Sequence, residues 1–218
     1  MQGIKFIIQS QRLRSLFLYA GITWGIFCLM GTYRNSLLVD IGIPEQIITM
    51  ITAYVGIFSS MGAKKQVQFH NRFRNRSLST ILRMMTGAIL TIGIIGAIHI
   101  SSEVTVLAVI ICLPFLHISE GMSEILVSRY LGNFTKEGIL TQIYAVNAIS
   151  KNILRATISF FGSYLLRITN TANSFVIIGI LLLIISIGLI SYMKTRLGLK
   201  PEEYAENEIF QKEKLEST

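Results

Sequence analysis

The chain has 218 residues, 51% hydrophobic and only 15% charged, with a formal net charge of +8 and a mean hydropathy of +0.57. A soluble domain carries roughly 25% charged residues, so this many apolar side chains need a solvent other than water. A pI near 9.7 would suggest nucleic acid in a soluble protein, but the basic residues lie in short segments between apolar blocks and form no aromatic-interleaved groove. They read as topology signals instead, which argues against a nucleic-acid partner.

Met1 to Arg14 carries Lys5, Arg12 and Arg14 around a short apolar stretch, with no small-residue cleavage site. It is expected to be an amphipathic cytoplasmic lead-in (1–14) lying on the membrane surface. The first predicted span is 15–39, with Gly21 and Gly25 at the four-residue spacing that lets helices approach closely. Pro44 suits the first turn of the next helix, and Glu45 suits its positive end. The second span is 44–62. A basic loop at 63–79 follows, holding Lys64, Lys65, Arg72, Arg74 and Arg76 with no acid.

The third span is 80–100 and the fourth 104–131, with Pro114 inside it. The fifth is 139–167. The sixth, 174–193, is the most apolar, and a polar tail occupies 194–218. The run from Ile177 to Ile190 lacks the alternation of a barrel strand, so helices are the expected means of crossing the bilayer. The expected fold is an all-α integral membrane bundle of six transmembrane helices (15–193). Lys and Arg alternate between turns so that both termini fall in the cytoplasm of a multi-pass plasma-membrane protein. The tripeptides starting at Asn75 and Asn133 match the glycosylation pattern, but both fall on the expected cytoplasmic side and are read as chance.

No phosphate loop, nucleophile elbow or HExxH motif occurs, and an enzyme is not expected. Cys28 and Cys112 are expected to be small buried hydrophobes; no cofactor or metal is expected. Ionisable groups at membrane depth are costly and face a bundle interior or a wet cavity. His117, Glu120 and Glu124 share one face of the fourth span; Asn147, Lys151 and Arg155 share one face of the fifth. Antiparallel registration at about 1.5 Å per residue brings Glu120 and Lys151 to similar depth. Glu120 and Glu124 are therefore expected to face Lys151 and Arg155. Such a pairing either fixes helix register or serves as a substrate or proton site. His117 with Glu120 offers too few ligands for a metal. Arg34 either snorkels outward or lines a cavity mouth. Trp24, mid-span, either packs or lines a cavity.

The stretch Thr32-Tyr33-Arg34-Asn35-Ser36-Leu37-Leu38 through Asp40-Ile41-Gly42, followed by the basic segment, resembles the C-terminal half of a major facilitator superfamily transporter. The superfamily's cytoplasmic motif, Asp-Arg-x-Gly-Arg-Arg, corresponds to Asn71-Arg72-Phe73-Arg74-Asn75-Arg76. Arg72 and Arg76 fit. Asn71 replaces the acid, Arg74 the glycine and Asn75 an arginine. The resemblance implies ion-coupled secondary transport of a small solute by alternating access, often driven by protons, with a partnering N-terminal six-helix half. It names no substrate. The alternative is an independent six-helix subunit or helper of another transport complex.

Overall fold

A computed structural model of the chain describes residues 7–8, 10–98, 101–135, 137–194 and 196–197. Its long elements are six helices: α1 (Gln11–Asp40), α2 (Glu45–Phe73), α3 (Ser77–Ile98), α4 (Ser102–Asn133), α5 (Leu140–Ile168) and α6 (Thr171–Lys194). Short 3₁₀ turns, Arg74–Arg76 and Glu137–Ile139, precede α3 and α5. Among the described residues there is no strand. Half of the expected lead-in (residues 1–6 and 9) and most of the expected tail (195 and 198–218) lie outside the described residues.

Local chemistry sets the helix ends. The Ser10 hydroxyl caps α1 by accepting from the Leu13 amide at 3.3 Å, so α1 starts at Gln11, within the segment expected as a surface lead-in. Gly42, with φ of +80°, turns the chain after α1. Pro44 lies just before α2 rather than in its first turn, with no side-chain capping bond, and Glu45 sits in the positive first turn. Ser101 caps α4 by accepting from the Val104 amide. Helix α4 runs through Pro114.

Five of the helices (α1, α2, α3, α4 and α6) are long and apolar enough to cross a membrane, and α6 is the most apolar of them. Helix α5 is as long as α2 but carries Lys151, Arg155, Arg167, Asn147 and Asn152, and it is not among the five.

The basic segment expected to be a loop is helical through Phe73. No proline or glycine interrupts residues 63–73, and Lys and Gln are good helix formers. Gln66 and His70 supply a buried stripe there, and Gln66 accepts from Arg129 of α4 at 3.1 Å. The turn comes at Arg74, whose φ of +43° lies in the region that favours glycine. The Arg74 amide donates to the His70 carbonyl, and the Ser77 hydroxyl donates to the Arg74 carbonyl. The Arg74 side chain is exposed, so Arg74→Gly removes backbone strain at little packing cost. It is expected to raise stability by about 1 kcal/mol, read as a higher unfolding midpoint of the purified protein in detergent.

The packing order places α1 at the centre, against α4, α5 and α6. Helix α3 packs on α4 and α6. Helix α2 packs mainly on α4, and α5 mainly on α1, so α2 and α5 flank one side of the α1–α4 contact. Small residues make these approaches possible. A Cβ on Gly21 would strike Leu154, and one on Gly25 would press on Ile158 and the Arg155 backbone. The four-residue glycine spacing therefore seats α5 within the same chain. The buried Tyr33 hydroxyl then donates to the Gly162 carbonyl at 2.8 Å.

Candidate functional site

The face framed by α1, α2, α4 and α5 gathers the polar chemistry of otherwise apolar helices. Three-residue and four-residue spacing along α4 aligns His117, Glu120 and Glu124. Lys151 of α5 donates to both Glu124 oxygens, at 2.8 and 2.7 Å. The lysine side chain is only 11% exposed and the glutamate 51%. The ammonium also lies 4.5 Å from the ring centroid of Trp24 on α1, a cation–π contact. Trp24 stacks on Phe27 at 6.1 Å, and Phe27 meets His117 edge-on at 5.0 Å. Trp24 thus lines the site and holds its resident cation.

Glu120 takes a different partner from the expected one. The hydroxyl of Ser59, on α2, donates to its Oε2. The α2–α4 crossing explains this, because Gly121 lets the Ser59 backbone come against α4, which leaves Lys151 to reach Glu124 one turn further along. Arg155 is exposed and makes no ion pair among the described residues. Its backbone is pressed against Gly25, so the expected four-group cluster resolves into one ion pair, one carboxylate–hydroxyl pair and an outlying arginine. Asn147 is buried, and its Oδ1 has no hydrogen-bond partner among the described residues.

Arg34 is only 6% exposed and turns toward α2. Its Nε and Nη2 donate to Asn35 Oδ1 at 3.0 and 2.9 Å, and Nη2 also donates to Thr52 Oγ1 at 2.9 Å. No carboxylate pairs with it among the described residues. Neither Ser59 nor Thr52 was legible as a site residue, because lone hydroxyls on an apolar helix carry no pattern. Only the crossing of α2 with its neighbours singles them out.

A cavity of about 10 Å³, room for about one water, lies between Trp24, Phe27, Glu120, Ser123 and Glu124. A larger cleft of about 610 Å³ opens at one end of the bundle between Asp40, Gly42, Ser101, Thr105, Asn170 and Thr171, where the Thr171 hydroxyl donates to Asp40. Among the described residues, His, Cys, Asp and Glu form no group of three able to hold a metal ion. Of the motif-like positions, Asn71 and Arg72 end α2, Arg74 and Arg76 form the 3₁₀ turn, and all four are exposed. The Arg72 guanidinium lies 5.8 Å from the Phe73 ring centroid. In comparison with known proteins, no family model matches the chain and no curated protein matches it significantly.

Proposed function

We propose that this chain moves a small solute across the plasma membrane as part of an ion-coupled secondary transporter of the major facilitator type, with six spans and both termini cytoplasmic. One observation carries the reading: the Glu124–Lys151 pair and Glu120 sit together on the face shared by α1, α2, α4 and α5. Charge placed there is costly in an apolar bundle, and exchangeable ion pairs are the means by which a transporter couples an ion to a solute. The strained backbone at Arg74 adds support. It falls at the position where the superfamily motif has glycine, the residue that adopts such a φ without penalty. Helix α5, more polar than its neighbours, would then be shielded from lipid by a second six-helix half, with substrate held between the halves.

The test is flux. In proteoliposomes holding the chain with a matching six-helix half, a solute screen is expected to find proton movement that depends on one solute class. Glu120→Gln is expected to lower that flux at least about tenfold at normal expression. Unchanged flux would reduce Glu120 to a helix-register role. Tags at the two ends reporting from opposite membrane faces would overturn the six-span topology.

A further inference from the structure

The transport reading makes no use of the cleft of about 610 Å³. That volume lies within the roughly 300–1,000 Å³ typical of small-molecule sites. The cleft sits at the opposite end of the bundle from the basic α2–α3 corner, among the end of α1 and the starts of α4 and α6. It shares no lining residue with the one-water cavity beside Glu120 and Glu124.

A single carboxylate lines this space. Asp40 is the last residue of α1, whose final turn holds no basic residue. The connecting segments 41–44, 99–101 and 169–170 contain no lysine or arginine. Asp40 makes no ion pair among the described residues. Its Oδ2 accepts from the buried Thr171 hydroxyl at 2.5 Å, and its Oδ1 accepts no hydrogen bond among the described residues. An acid at the C-terminal end of a helix also meets the negative end of the dipole. The charge is therefore placed where the fold disfavours it, and a neutral hydroxyl does not offset it.

The other polar lining groups are each half used. Thr171 donates its proton to Asp40, and the buried Thr105 donates its own to the Ser101 carbonyl at 3.0 Å. Both then offer only lone pairs. Ser101 Oγ accepts from the Val104 amide at 3.3 Å, and Asn170 Oδ1 from the Asn173 amide at 2.8 Å. The Ser101 hydroxyl proton and the Asn170 side-chain amide remain as donors.

We propose that this cleft binds a small polyhydroxylated amine of amino-sugar size, with its ammonium on Asp40 and its hydroxyls among Ser101, Thr105 and Asn170. The ammonium makes a charge-assisted bond to the carboxylate and offsets the negative end of α1. Hydroxyl groups both donate and accept, so they match a lining that offers both. An anion would meet Asp40 as a like charge, and an apolar amine would leave the Ser101 and Asn170 donors unpaired. The assignment does not depend on transport.

The test is isothermal titration calorimetry of the full chain in a detergent without a sugar headgroup, under mildly acidic conditions that keep the amines protonated. Glucosamine is expected to bind saturably. Glucose and N-acetylglucosamine, which lack the cation, and cyclohexylamine, which lacks the hydroxyls, are each expected to bind at least about tenfold more weakly. Asp40→Asn keeps an acceptor for Thr171 but no charge, and is expected to bring glucosamine down to the level of glucose. A carboxylate that only tethers α1 to α6 would leave the ranking of ligands unchanged. Ser102→Phe, at an exposed lining residue, is expected to weaken glucosamine at least about tenfold by filling the cleft. Absence of saturable glucosamine binding, or equal binding of glucosamine and glucose, overturns the proposal on the wild-type chain alone. Full glucosamine affinity in folded Asp40→Asn or Ser102→Phe overturns its location. None of these results bears on the flux expected to be lost in Glu120→Gln.

Discussion

Replacing Gly121 with alanine is expected to lower the stability of the bundle by about 1–3 kcal/mol or more, and Gly62→Ala to do the same. Helices α2 and α4 cross at these two residues. A Cβ on Gly121 would fall on the Ser59 carbonyl oxygen, and one on Gly62 on the Ile118 carbonyl. Both obstacles are backbone, so no side chain can rotate away and the helices must separate. Separation also pulls Ser59 from Glu120, so solute flux is expected to fall even where folded protein survives. Gly87→Ala and Gly188→Ala are the controls. A Cβ at either meets nothing within 4 Å, and helix propensity alone predicts no loss and up to about 1 kcal/mol of gain. Unfolding midpoints of the four purified variants in detergent would check this. If Gly121→Ala melts with the controls, the close α2–α4 approach is wrong.

Breaking the Glu124–Lys151 pair is expected to have unequal effects from its two sides. Glu124→Gln leaves the ammonium of Lys151, 11% exposed, without a carboxylate, at a cost of about 2–3 kcal/mol. Lys151→Met leaves Glu124, 51% exposed and able to hydrate, at a cost of about 1 kcal/mol or less. The double variant is expected to recover most of the stability lost in Glu124→Gln, because a neutral pair has no uncompensated charge. Transport is expected to stay down at least about tenfold in the double variant if the pair opens and closes in the cycle. The combination to watch is therefore stability regained and flux not regained. Regain of both would make the pair a device for helix register, with the coupling chemistry elsewhere on the face.

Composition and block hydropathy by themselves determined that the described residues are helical and, of six expected spans, placed five helices apolar enough to cross a membrane, because burial in lipid demands long runs of apolar residues with internally paired backbones. Residue spacing also determined that Glu120 and Glu124 share a face of α4 and that Asn147, Lys151 and Arg155 share a face of α5, since helical periodicity is local. Tertiary structure alone decided which acid meets which base. Lys151 chose Glu124 because the glycine-permitted crossing of α2 and α4 brings Ser59 to Glu120, and a crossing angle is not written in any one helix. The same holds for Arg34, whose bond to Thr52 depends on how α1 and α2 meet, and for Arg74, whose positive φ follows from the corner that α2 and α3 must turn. Hydropathy marks the apolar stretch of each span, whereas the helix ends, such as the run of α2 through the basic segment to Phe73, follow from local capping and packing. Which side chains come together depends on the small residues that set how closely the helices approach.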